Sequence, residues 1–234
     1  MLIRGLLFDK DGTLFRYSET WDTWCKVILE KLSNGDATLL QRLADSIEFD
    51  LKSQKIKSKS VVIAGTTHEV AEHLVSALPH WSIDPLEAFL NEQVNDLPLA
   101  EVTPLRAYLA TLRLRGLKIG VMTNDSETNA LAQLTRAGLN PKKDFDFVAG
   151  YDSGFGAKPA PGPLLAFAKA VDLPASEVAM VGDSLHDLMA GRHAGMRTIG
   201  VLTGPARKED LSSMADVVFP DISHIPAYLD SLIR

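Results

Sequence analysis

Asp9 and Asp11 stand two residues apart where an apolar run ends, in Leu6-Leu7-Phe8-Asp9-Lys10-Asp11-Gly12-Thr13-Leu14. On extended backbone, alternate side chains project the same way, so this spacing brings two carboxylates to a common face. Like charges so placed repel and resist desolvation. They call for a cation between them, or for a division of labour among nucleophile, acid and base. A hard divalent metal is the cation that suits oxygen ligands. Asp and Gly are also ordinary turn residues, so a solvated turn after a strand is the bland alternative for this stretch alone.

Three more polar clusters follow: Thr123-Asn124-Asp125, Lys158-Pro159 and Gly182-Asp183-Ser184-Leu185-His186-Asp187. The first and last come directly after the strand-like runs 117–122 and 177–181. Ligands of open α/β sheets bind beyond the carboxyl ends of the strands, so these clusters converge on one crevice. Asp187 lies one helical turn after Asp183 and shares its face. Asn124 and Asp125 would equally serve as N-caps for a helix starting near Ser126, although their place after a strand favours ligand contact. His186, between the two aspartates, is expected at the surface.

In order and spacing these four segments resemble the signature motifs of the haloacid dehalogenase (HAD) superfamily, specifically its aspartate-dependent, Mg2+-dependent phosphatases. The resemblance covers residues 1–14 and roughly 100–234, while the intervening segment is similar only to the helical insertion that many members carry. It implies an α/β fold with a Rossmann-like parallel sheet core and an inserted α-helical cap. The expected division is 1–16 with 99–234 as the core domain and 17–98 as the cap, with hinges near Phe15–Ser18 and Asn95–Thr103.

Phosphate monoester hydrolysis passes through a charge-rich transition state, so catalysis there consists mostly of positioning and fixed positive charge. With the resemblance, Asp9 becomes the candidate nucleophile, forming an aspartyl-phosphate that splits one hard displacement into two easier ones. Asp11 becomes the general acid and then the base, a role for which it must arrive protonated. Gly12, Thr123, Asn124 and Lys158 would hold the phosphoryl group, Lys158 also neutralising Asp9. Mg2+ would be ligated by Asp9, by Asp183 and by the main-chain carbonyl of Asp11, with Asp187 beside the metal or Lys158. For Lys158 the support comes from the resemblance, because most single lysines are simply solvated. Thr13 is open between buttressing the loop and being a plain turn residue.

Asp11 also discriminates within the superfamily. Dehalogenases resembling this fold lack a carboxylate there, because halide leaves without a proton, and phosphonatases tend to have alanine. A phosphomutase of the beta-phosphoglucomutase type keeps both aspartates and is the main enzymatic rival. A non-catalytic phosphate-binding regulatory protein is the rival of another class, but no catalytic side chain is missing. The chain looks most like phosphoglycolate phosphatases, which makes a small phosphorylated carboxylate the leading substrate, with sugar phosphates and nucleotides as alternatives. Trp21 and Trp24, at helical spacing with Ile28, are expected to be packing residues rather than pocket lining. Lys52, Lys55, Lys57 and Lys59 are expected in a solvated loop.

The elements that must position these groups follow from periodicity and caps. Leu2–Phe8 is a buried strand. Helices are predicted at Trp21–Leu32, Ala37–Phe49, His68–Leu78 and Pro85–Val94, the last capped by Asp84 with proline in its first position. Strand and helix then alternate. A helix runs from a Thr103 cap to Arg115-Gly116, and strand 117–122 precedes helix 126–137. Strand 145–149, helix 163–171, strand 178–181, helix 184–194 and strands 198–202 and 216–219 complete a parallel sheet.

Bulk composition agrees. The 234 residues are 46% hydrophobic, enough for a core, and no apolar run is long enough to span a bilayer. A net charge of −6 disfavours a nucleic-acid footprint. The one cysteine, Cys25, permits no internal disulfide and fits a reducing compartment. A signal peptide cleaved near the N-terminus would remove Asp9. The expectation is therefore a cytoplasmic monomer or homodimer that meets a small phosphorylated metabolite, with no nucleic-acid or membrane partner.

Overall fold

The apolar run before Asp9 forms β1 (Gly5–Phe8), with Leu6, Leu7 and Phe8 fully buried. Burial of consecutive residues requires cover on both faces, the situation of a central strand in a parallel sheet. The computed structural model describes residues 2–94 and 97–232. It divides the chain into two units, Met1–Arg16 with Ala100–Arg234, and Tyr17–Leu99.

The inserted unit contains α1 (Tyr17–Ser33), α2 (Ala37–Ser46), β2 (Phe49–Asp50), β3 (Lys55–Ile56), α3 (Thr67–Val75) and α4 (Ile83–Glu92). It has its own core, in which Trp21, Trp24, Ile28 and Leu29 of α1 meet Leu43, Leu74, Leu86 and Leu90. Trp24 Nε1 donates to the Leu90 carbonyl at 3.2 Å, so both tryptophans are packing residues, as their helical spacing indicates. The insertion is not purely helical. The helix expected to reach Phe49 stops at Ser46, because Glu48 takes a left-handed conformation (φ +54°) and Phe49 starts an antiparallel hairpin with Lys55-Ile56. Lys52, Lys55, Lys57 and Lys59 are exposed around that hairpin, Lys55 pairing with Asp22 at 2.7 Å. Ser82, not Asp84, occupies the cap position of α4, and Pro85 is its third residue, still in the first turn where backbone N–H groups lack intrahelical acceptors. Of the expected second hinge, Asn95 and Asp96 lie outside the described residues.

The second part of the core unit is α5 (Leu105–Leu114), β4 (Lys118–Met122), α6 (Glu127–Arg136), α7 (Pro141–Asp144), β5 (Phe147–Ala149), α8 (Gly162–Ala170), β6 (Val178–Gly182), α9 (Leu185–His193), β7 (Arg197–Val201), α10 (Lys208–Leu211), β8 (Val217–Phe219) and α11 (Ile225–Ser231). Pro104, rather than Thr103, stands in the cap position of α5, and the Leu105 N–H is taken by Glu101 at 3.0 Å. Among the described residues, six strands make one parallel sheet in the order β5-β4-β1-β6-β7-β8. Phe8 pairs with Val121 on one side and Val181 on the other. One face of the sheet is covered by α8, whose Leu164 and Phe167 join Leu7, Met122 and Met180 in the core. Among the described residues, no helix is long and apolar enough to cross a membrane.

Candidate active site

The chain crosses from β1 to β4 on one flank and returns as β6 on the other, so β1 lies at the switch point of the sheet. Asp9, Thr123 and Asp183 are the residues just past the ends of these three adjacent strands. All three are buried.

Lys158 ties the cluster together. Its Nζ lies 2.5 Å from Asp9 Oδ1 and 2.6 Å from Asp187 Oδ1, and it donates to the Met122 carbonyl at 3.1 Å. Asp187 is held from behind: Ser184 donates to its Oδ2 from both N (3.0 Å) and Oγ (2.6 Å), while the Asp187 N–H returns to Ser184 Oγ at 3.3 Å. This capping box starts α9 and aims Asp187 at the lysine. The Ser-x-x-Asp spacing makes the box visible in the sequence, although Ser184 carried no expected role.

Asn124, expected at the phosphoryl oxygens, holds the Lys158 backbone in this structure. Its amide accepts from the Lys158 N–H and donates to the Lys158 carbonyl, each at 2.9 Å. Nor does it cap α6, since Ser126 does so by accepting from the Asn129 N–H. Thr123 Oγ1 accepts from the Asp125 N–H at 3.1 Å. Thr13 is fully buried with its hydroxyl unpartnered. His186 is exposed, as expected.

Asp9 and Asp11 lie past the end of β1 rather than within it, and Asp11 is close enough to add to the charge that raises the Asp9 pKa. The strand ends at Phe8, and the loop winds back so that the Lys10 carbonyl accepts from both Leu14 and Phe15 while Gly12 donates to the Phe15 carbonyl. Each carboxylate therefore meets its own lysine: Asp9 meets Lys158, and Asp11 Oδ2 lies 2.7 Å from Lys10 Nζ. Lys10 was not among the expected site residues. It is fully buried and also reaches Asp125 Oδ2 at 3.2 Å and the Gln133 side-chain oxygen. The alternation that turns residues 9 and 11 one way turns residue 10 into the protein, and a buried lysine demands partners.

Two glycines wall in Asp183. Gly12 adopts φ +84°, and a Cβ there would lie 2.4 Å from Asp183 Oδ2; at Gly204 it would lie 1.5 Å away. Thr203 Oγ1 donates to the Gly12 carbonyl and holds the two loops together.

Burial raises the Asp9 pKa; Lys158 opposes this, Asp187 and Asp11 add to it, and the value reaches about 7. Asp183 is held well above the carboxylate range by burial, then by Asp9 and Asp187. For Lys158, burial alone would lower the pKa, but Asp187 and Asp9 outweigh it and the ammonium is retained. Asp9, Asp183 and Asp187 offer carboxylate oxygens within 4.8 Å of one another. Crowded, oxygen-only and supplied with a single ammonium, this donor set fits a hard divalent cation.

An open parallel α/β sheet with a buried Asp-Lys-Asp cluster at its switch point has the construction of an enzyme rather than a scaffold. Residues 3–195 match the family model of the haloacid dehalogenase-like hydrolases, and the chain belongs to that family. It is 29% identical over 232 residues to a phosphoglycolate phosphatase of Rhodospirillum rubrum, covering 97% of this chain and 90% of the relative. It is also 29% identical over 181 residues to the pyrophosphatase PpaX of Bacillus pumilus, covering 67% and 82%. In fold it is similar to a hydrolase from Pseudomonas syringae, with a TM-score of 0.72 at 21% identity, covering 97% and 98% of the two chains.

Proposed function

We propose that this hydrolase is a cytoplasmic, Mg2+-dependent phosphatase that cleaves a small phosphomonoester through an aspartyl-phosphate, with 1–16 and 99–234 as its catalytic domain and 17–98 as a substrate-selecting cap domain. The observation that carries the reading is the Lys158 ammonium shared between Asp9 and Asp187 at the end of the central strands. Because Lys158 engages Oδ1, Asp9 keeps Oδ2 for attack on phosphorus. The bond from Asp9 Oδ2 to phosphorus forms, the ester P–O bond breaks, and Asp11 gives its proton to the departing alkoxide. Water then attacks the phosphoryl group, Asp11 takes back a proton, and Asp9 is regenerated with release of phosphate. Lys158, the Thr123 segment and the Gly12 turn offset and orient the phosphoryl oxygens. Asp9 and Asp183, with the Asp11 main-chain carbonyl, would hold Mg2+, which when bound offsets the charge of nucleophile and phosphate brought together.

Phosphoglycolate is the leading substrate, supported by the name of the relative with 97% coverage. Pyrophosphate is the second reading, supported by the PpaX relative. The test is phosphate release from phosphoglycolate, pyrophosphate, sugar phosphates and nucleotides, with Mg2+ and with chelator, using Asp9→Asn as control. Metal-dependent release lost in the variant is expected. Release that survives chelation or Asp9→Asn overturns the mechanism, and interconversion of a phosphosugar without phosphate release would replace hydrolysis by mutase chemistry.

A further inference from the structure

Lys10 has no assigned task, yet it is the most deeply placed charge in the first motif, with none of its surface exposed. A buried ammonium is costly to desolvate, and an apolar side chain would fill the same place without that cost. What the protein obtains in return is visible in its partners. Asp125 takes the Ser126 N–H at 2.8 Å and the Asn129 amide at 3.0 Å on Oδ1, so it is fixed by the start of α6. Its Oδ2 receives Lys10, as does the side-chain oxygen of Gln133, one turn further along α6. From that anchored position Lys10 meets Asp11 Oδ2 at 2.7 Å. Asp11 Oδ1, also buried, has no hydrogen-bond partner.

We infer that Lys10 is a positioning residue that holds Asp11 by Oδ2 and so presents Oδ1 alone to the leaving-group oxygen. An ammonium only donates, so Oδ2 is kept as an acceptor and Oδ1 is the oxygen that exchanges a proton with the substrate. The inference rests on the reading of Asp11 as general acid, and it makes Lys10 matter in proportion to how much the leaving group needs a proton. An alkoxide needs one; p-nitrophenolate leaves without it.

The test is single-turnover kinetics with enzyme in excess and Mg2+ present, comparing wild type with Lys10→Met on phosphoglycolate and on p-nitrophenyl phosphate. Release of p-nitrophenolate in the first turnover is expected to stay within about threefold of wild type, while release of glycolate slows about 10²-fold, the scale of a displaced general acid. A merely structural lysine would slow both equally, so parallel losses, or no loss on either substrate, overturn the inference. If Lys10→Met does not fold by circular dichroism, Lys10→Met/Asp125→Asn removes both charges and is put through the same comparison. Failure of wild-type enzyme to cleave either ester, together with no phosphate release from the substrate panel above, would instead sink the phosphatase reading, which separates the two outcomes; if the panel shows another alkyl phosphate as substrate, it replaces phosphoglycolate in the comparison.

Discussion

Asn124 holds Lys158 by both sides of its main chain, donating from Nδ2 to the carbonyl and accepting at Oδ1 from the N–H, each at 2.9 Å. The first residue sits just past β4 and the second in a loop preceding α8, so one side chain hangs the loop from the sheet. A lysine side chain has four flexible carbons, and its reach to Asp9, Asp187 and the Met122 carbonyl is useful only if its backbone does not wander.

Asn124→Ala is therefore expected to lower kcat about 10²-fold, since misplacing a catalytic group by about 1 Å costs that much, while the far-ultraviolet circular dichroism spectrum is unchanged. Asn124→Asp should fall between the two, because it still accepts from the Lys158 N–H but sets an oxygen against the carbonyl. Steady-state kinetics with the best substrate decide this, and wild-type kcat in Asn124→Ala would show that the loop needs no such tether.

Lys158→Met leaves Asp9 and Asp187 buried without their common cation. Breaking a buried ion pair from one side costs about 3–5 kcal/mol, and that loss is expected in urea unfolding of the metal-free variant at pH 7.5. The deficit should shrink at pH 5, where Asp9, raised to about 7 chiefly by burial, is protonated, and in millimolar Mg2+. A variant as stable as wild type at pH 7.5 would mean that Asp9 is already protonated there.

Asp9 gives the metal-free enzyme a specific pH dependence. Its pKa in the folded chain is about 7, against 3.8 as its ordinary value, with burial as the first cause and Lys158, Asp187 and Asp11 modifying it. Between these values the folded state holds a proton that the unfolded state has lost, so the contribution of Asp9 to stability is complete below about pH 4 and disappears as pH rises through about 7. Asp9→Asn cannot pay this penalty. The melting temperature of the variant minus that of wild type, both in chelator, should thus climb from pH 5 to pH 7.5. A flat difference would contradict the raised pKa.

The strand ends were legible because buried parallel strands read as apolar runs and the polar clusters after them mark the crevice, which is why Asp9, Thr123 and Asp183 could be placed together from sequence. Asp187 was placed beside Asp183 by a helical turn, but α9 begins only at Leu185, and it is the Ser184 cap that aims Asp187 at Lys158. The hairpin at Phe49 was not legible, because Glu48 is a helix-compatible residue whose positive φ is imposed by the fold around it. The task of Asn124 was equally hidden: an asparagine before a helix reads as a cap, and only the chain's return at Lys158 reveals that it holds that backbone instead. Lys10 drew no expectation at all, because the winding of residues 10–15 around its carbonyl is tertiary information.

Asp183 has room only because Gly204 has no side chain. A Cβ there would stand 1.5 Å from Asp183 Oδ2 and 2.4 Å from its Cγ, so Gly204→Ala must push back either the carboxylate or the loop that Thr203 fastens to Gly12. Either displacement spoils the proposed Mg2+ ligand, and weakening of binding by about 10–100-fold is expected, as for other changes to the support of a metal ligand. Gly154→Ala is the fitting control, since it is strained by φ +83° but meets nothing within 4 Å. It should cost about 1–2 kcal/mol of stability without changing metal affinity. Isothermal titration of metal-free protein with Mg2+, alongside urea melts, separates the two effects. Equal affinity in Gly204→Ala and wild type would remove Asp183 from the set of ligands.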